Sequence, residues 1–143
     1  MTEVRFYKEA DDELLQFAVI ISRAQNKYVF CKHRSRDTWE CPGGHREAGE
    51  NILDTAKREL YEETGALEFT ITPVCVYSVT APDNLNNGEE SFGMLFFAQI
   101  TRFEADLHSE IEEIVLMEDL PENWTYSHIQ PQLLQEAKKR GYL

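Results

Sequence analysis

Residues 44–66 read GHREAGENILDTAKRELYEETGA, and this stretch decides the fold. From residue 51 to residue 64 it holds neither Gly nor Pro and is rich in Ala, Leu, Glu, Lys and Arg, which predicts a helix. Asn51 is placed to cap its start and Gly65 to stop it. Upstream, Pro42, Gly43, Gly44 and Gly49 punctuate what reads as a loop. On the helix, Glu59, Glu62 and Glu63 stand at i, i+3 and i+4, so their carboxylates share one face. Leu53, Ala56 and Leu60 form a neighbouring stripe expected to face a sheet. Like charges this close repel by a few tenths of a kcal/mol per pair, roughly, and Arg58 is the only basic residue of the last two turns. A cluster of hard oxygen donors is what Mg²⁺ or Mn²⁺ neutralises.

Outward from this element the chain alternates strands and turns. Residues 16–22 (QFAVIIS) and 27–33 (KYVFCKH) are β-rich and read as a hairpin around a turn in RAQN. Residues 68–80 and 91–100 follow as strands, separated by the polar stretch APDNLNNGEE. Pro73 marks the first of them as an edge strand or one that begins only after it. Residues 113–117 (EIVLM) read as a further short strand, and 132–140 as a final helix after Pro131. No repeat, linker or low-complexity tract divides the 143 residues, so one α/β domain is expected.

Composition excludes several classes. The formal net charge is −12, from 26 acidic and 14 basic residues, with no basic stripe for a long polyanion. Long nucleic acid and anionic membranes are therefore not expected partners, and a polyphosphate needs cations to approach. Cys31, Cys41 and Cys75 are odd in number and form no C-x-x-C pair, which argues against a disulfide framework or a thiolate zinc site. His33, His45, His108 and His128 show no metal-ligand spacing and carry no role at this level. The absence of a basic-then-apolar leader and the short apolar runs lead to the expectation of a cytoplasmic protein.

The spacing within residues 44–66 is more specific than its composition. Gly44, five residues, Glu50, seven residues, Arg58-Glu59-Leu60, one residue, Glu62-Glu63, one residue and Gly65-Ala66 resemble the Nudix box at every fixed position, with Ala66 a small occupant of the last one. The resemblance is close over residues 39–66 and looser in the flanking strands. It implies an α/β/α sandwich with a mixed sheet and a loop–helix–loop catalytic element. It further implies that Glu59, Glu62 and Glu63, with the Gly43 carbonyl, ligate Mg²⁺ or Mn²⁺, and that Arg58 pairs with Glu50. Glu59 and Glu62 are the two candidates for the general base. Relatives often add an acidic residue after the box; Glu110 fits that spacing best and Glu113 second.

The implied activity is metal-dependent hydrolysis of a diphosphate bond in a nucleoside diphosphate-linked small molecule. A nucleoside triphosphate, oxidised forms included, comes first, as in MutT-type relatives. ADP-ribose or a nucleotide sugar is the alternative, for which Pro82 is the one hint, and a non-catalytic nucleotide-binding module is the third reading. Trp39, Tyr77 and Phe92 are candidates to contact the substrate, among aromatics that also include Trp124 and Tyr126; Phe96 is assigned to the core. The sequence leaves the oligomeric state open.

Overall fold

The computed structural model describes residues 2–81, 88–104 and 111–143, with the backbone alone for 111–113. Glu110, the expected additional acidic residue, and Pro82 lie outside the described residues, as does the side chain of Glu113.

Seven strands form one mixed sheet: β1 (Glu3–Tyr7), β2 (Leu15–Ala24), β3 (Lys27–His33), β4 (Gly43–His45), β5 (Ala66–Thr80), β6 (Ser91–Phe103) and β7 (Ile111–Met117). Among the described residues two α-helices, α1 (Ile52–Thr64) and α2 (Gln130–Lys139), and one 3-10 turn at Asp12–Leu14 accompany the sheet. The sheet order is β1-β5-β6-β2-β3-β7, with β4 paired to β2. β2 and β6 run parallel and every other pairing is antiparallel. This is the α/β/α sandwich expected of the sequence.

Alternation along the strands fills two cores. Ala18, Ile20, Val76, Phe96, Ala98 and Ile100 face α1, meeting Ile52, Ala56 and Leu60. Ile21, Phe30, Cys75, Tyr77, Val79 and Leu95 face α2, meeting Leu133, Leu134 and Ala137. Phe96 is thus core, as assigned. Leu53 is not: it is exposed, and Ile52 takes the buried place expected of it because the packed face is rotated by one residue.

The expected hairpin forms only at its tip. Gln25 and Asn26 both adopt positive φ, the geometry of a tight two-residue turn, and pairing between β2 and β3 covers just Ser22–Ala24 with Lys27–Val29. β7 pairs with the other edge of β3 from Tyr28 onward, and beyond Ser22 the edge of β2 that β3 leaves unpaired is taken by β4 at Phe17–Val19. The stretch read as loop around Gly43 and Gly44 is therefore a short strand. A Cβ on Gly43 would stand 2.4 Å from the Ala18 carbonyl, so the close approach of β4 requires glycine there. Pro73 lies within β5 rather than before it, in the half that β1 does not reach, which makes it an edge position. β1 has no counterpart in the sequence reading, and α2 begins at Gln130 with Pro131 inside its first turn.

Gly93 on β6 sits beneath Phe17, and a Cβ there would come within 2.1 Å of the Phe17 ring. Replacing Gly93 by Ala should destabilise the fold by about 1–3 kcal/mol through overpacking. Urea unfolding of wild type and variant measures the difference, and equal midpoints would contradict the close contact.

Candidate functional site

The box helix is anchored from both ends. Asn51 accepts a hydrogen bond from Asp54 N through its side chain at 2.8 Å, and Gly65 closes the helix in the left-handed region at φ 74°. Helix α1 is thereby fixed in register against the loop that precedes it.

Arg58 organises the charges. Its Nε and Nη2 donate to the two oxygens of Glu50 at 2.6 and 3.1 Å, a bidentate pair, and Nη2 also donates to the His45 carbonyl at 3.0 Å. Nη1 donates to Glu59 at 2.6 Å and reaches Glu62 at 3.4 Å. Glu50 further accepts from Thr55 Oγ1 and from the Glu47 amide. These bonds, the Arg58 pair first, hold the Glu50 carboxyl down at about 2. A second arginine, Arg46, ties the same loop to the carbonyls of Leu15 and Glu50 and to Asp12, whose carboxylate it meets in an ion pair.

Three glutamates of α1 converge on one acidic cleft of about 420 Å³, bounded also by His33, Arg36, Glu40, Gly43, Gly44 and Tyr126. Glu59 lies over Gly44, whose absent Cβ would stand 2.3 Å from its carboxylate oxygen. That contact is a physical reason for glycine at the first position of the box. Burial raises the Glu59 carboxyl despite the opposing pull of Arg58. Glu63 is buried; its Oε1 accepts from Gly43 N at 2.6 Å and its Oε2 stands 3.4 Å from His33 Nε2. Burial pushes the Glu63 carboxyl up to about 8, with Glu59 and Glu40 adding to the repulsion. Glu62 is the most exposed of the three, at 42% of its side chain.

Sequence spacing missed part of this cleft. His33 carried no assigned role, yet one donor atom each of His33, Glu40 and Glu63 lie within 4.8 Å of one another. They meet because Cys31 bridges Glu40 across the sheet, which brings the end of β3 beside β4. The one signal in the sequence was a charge, Glu40, set between Trp39 and Cys41 in an otherwise apolar run; it is buried and bonded to Arg36 at 3.1 Å. Crowded carboxylates, one of them buried with a raised affinity for protons, beside an imidazole nitrogen make a donor set that fits a divalent cation.

A second cavity of about 490 Å³ opens from the same wall on the α2 side of the sheet. Glu40, Gly43, Gly44, His45 and Tyr126 border both spaces. Its interior is largely apolar, formed by Phe17, Val19, Tyr77, Val79 and Ala81, and it is closed by residues 125–130 leading into α2. Of the aromatics named from sequence, Tyr77 and Tyr126 reach it. The Tyr77 ring packs on Phe17 at 5.4 Å between centroids, tilted by 54°. Phe92 and Trp39 line neither cavity. Strand alternation turns Phe92 toward α1, where it meets Tyr7, and Trp39 packs against the α2-side core while its backbone bridges Trp124.

The sequence profile of the NUDIX domain matches residues 13–136. The chain belongs to this family. It is 32% identical over 76 residues to an RNA pyrophosphohydrolase of Psychrobacter sp. (strain PRwf-1), covering 53% of this chain and 41% of that protein. An RNA pyrophosphohydrolase of Francisella tularensis subsp. mediasiatica (strain FSC147) is 29% identical over 77 residues, 51% of this chain and 50% of that one. The aligned part thus spans half or less of these relatives. The crystal structure of a variant of the Bacillus subtilis pyrophosphohydrolase BsRppH superposes with a TM-score of 0.79 at 24% identity, covering 99% of this chain and 92% of that one, which establishes the shared fold. Among the described residues no helix is long and apolar enough to cross a membrane.

The Glu50–Arg58 pair has a pH signature. A carboxyl held near 2 in the fold and near 4.5 when unfolded contributes stability that is complete above about pH 4.5 and lost as the pH falls through about 2. The stability advantage of wild type over Arg58→Ala should therefore be full above pH 4.5 and shrink between 4.5 and 2. Thermal unfolding across that range tests it; a constant difference would separate Glu50 from Arg58.

Proposed function

We propose that the chain hydrolyses a diphosphate bond of a nucleoside 5′-triphosphate, releasing monophosphate and pyrophosphate with Mg²⁺ or Mn²⁺. The observation that carries this reading is the shared wall: an acidic cleft able to gather cations adjoins an apolar cavity of a size for a base. Glu59, Glu62 and Glu63, with His33, Glu40 and the Gly43 carbonyl nearby, would hold the cation. When bound, it neutralises phosphate oxygens and favours ionisation of water at neutral pH.

The protein's own groups divide the remaining tasks. Arg58 is committed to Glu50, Glu59 and His45 and acts by positioning the glutamates rather than by touching substrate. Glu59 is bonded to Arg58, and Glu63 to Gly43 and His33. Glu62 keeps its carboxylate most open to solvent, and it is the candidate of choice to take a proton from the attacking water. Arg36, reaching the cleft beside Tyr126, offers a guanidinium to the phosphate chain.

A second reading, the 5′-triphosphate end of an RNA, is favoured by the two RNA pyrophosphohydrolase relatives. A net charge of −12 weighs against a long polyanion and for a mononucleotide. Product chromatography after incubation with nucleoside triphosphates, a short 5′-triphosphate RNA and ADP-ribose separates these readings. In ¹⁸O-labelled water, one labelled oxygen per turnover is expected in pyrophosphate or monophosphate; label elsewhere would refute attack at phosphorus.

Glu63→Gln should keep the fold and lose most turnover, by about a hundredfold or more, because a neutral amide is a poor ligand for a hard cation. Mn²⁺ binding followed by electron paramagnetic resonance should weaken in parallel. Full activity of the variant, or wild-type activity in excess chelator, would remove the metal from the reaction.

A further inference from the structure

The apolar cavity has one polar group whose sense is fixed by the backbone. Gln130, the first residue of α2, is buried and borders this cavity. Its Oε1 accepts a hydrogen bond from the Cys41 amide at 2.8 Å. A backbone N–H only donates, so the atom facing Cys41 must be the amide oxygen, and the usual ambiguity between the two ends of a glutamine does not arise. Every fully enclosed side-chain nitrogen or oxygen among the described residues has a partner. Gln130 Nε2 has none there, so it lies at the cavity surface, presenting N–H donors to whatever enters.

Tyr77, Ser91, Thr125 and Glu40 do not choose between ligands in this way. The hydroxyl of Tyr77, also on the cavity, donates or accepts alike. Ser91 Oγ is engaged with the Val79 carbonyl, and Thr125 Oγ1 with Thr38. Glu40, the acceptor on this wall, is held by Arg36 at the border with the acidic cleft, the phosphate end.

We infer that Gln130 selects nucleotides whose base carries a carbonyl where adenine and cytosine carry an amino group, that is guanine, hypoxanthine, uracil or thymine. The inference rests on the reading that this cavity receives the base. A carbonyl accepts from Nε2; an amino group there sets donor against donor and leaves the Nε2 hydrogens without an acceptor on the ligand. Leaving such groups unmatched weakens binding by about tenfold or more.

The test is equilibrium binding of monophosphates to the whole chain with Mg²⁺, followed by NMR titration, so that no bond needs to be cut. IMP should bind about tenfold more tightly than AMP, and UMP more tightly than CMP. Gln130→Met, similar in shape but without the donor, should bring each ratio to within about twofold of one. If that variant does not fold, the purine monophosphate with hydrogen at position 6 decides, and it should bind wild type as weakly as AMP. Equal binding of IMP and AMP, no binding of either, or an unchanged ratio in a folded Gln130→Met would overturn the inference. A tenfold IMP preference without hydrolysis of any triphosphate would uphold it and remove only the hydrolytic reading.

Discussion

Arg58 meets Glu50 with both ends of its guanidinium fork while also donating to Glu59 and to the carbonyl of His45, so one side chain ties the box loop to the box helix. The rest of the site depends on that tie. Three carboxylates within two helical turns repel, and α1 carries no basic residue in its last turn to soften its C-terminal end. One cation, always charged and placed among four glutamates (Glu47, Glu50, Glu59 and Glu62), offsets much of this repulsion. It does so without covering the cleft, because it approaches from the loop side. Glu63, beyond its reach, is left to burial, and its raised proton affinity is the trace of what Arg58 does not compensate.

The cleft itself follows from a divergence in the sheet. If β3 had paired with β2 along its length, no edge would remain for β4, and Gly43 and Gly44 would not pass beneath α1. The two-residue turn at Gln25 and Asn26 starts a hairpin whose pairing ends after three residue pairs, while β7 lines the other edge of β3. The vacated edge accepts a strand only if that strand can come very close, hence glycine at 43 against the Ala18 carbonyl. The same divergence leaves His33 at the end of β3 facing Glu63, and separates the two cavities by a single wall.

How much of this the sequence could carry depends on the range of each interaction. Helix α1 was legible because its signals are local: a cap at Asn51, a stop at Gly65 and glutamates at helical spacing. The α/β/α class was legible through alternation and through the box spacing. Leu53 was misplaced because Ile52 competes for the same stripe, and a one-residue rotation of a helix costs periodicity arguments nothing. His33 and Gln130 were not legible at all, and Glu40 only as a charge in an otherwise apolar run. Each owes its place to a pairing between distant segments, β3 with residue 40 and α2 with Cys41, and no local pattern encodes such a contact. The aromatics erred in the opposite sense. Residue type suggested stacking for Trp39, Tyr77 and Phe92, whereas strand direction and packing decided what each one touches.

The two cavities also divide recognition by kind of force. In the acidic cleft the interactions are between full charges, strong and weakly directional, and they are indifferent to which nucleoside is attached. The apolar cavity has Glu40 only at its border with the cleft, and on the proposed reading discrimination there falls to the direction of single hydrogen bonds. The joint between them is the segment from Glu40 to Gly44: Glu40 and the Gly43 amide face the glutamates, while the Cys41 amide faces Gln130. Pro42 between them contributes no N–H but lends its carbonyl to Ile20, pinning the segment to the central strand. A shift of this short piece would therefore disturb both ends of a bound nucleotide together. Under the proposed function, this segment would couple where the phosphates lie to how the base is read.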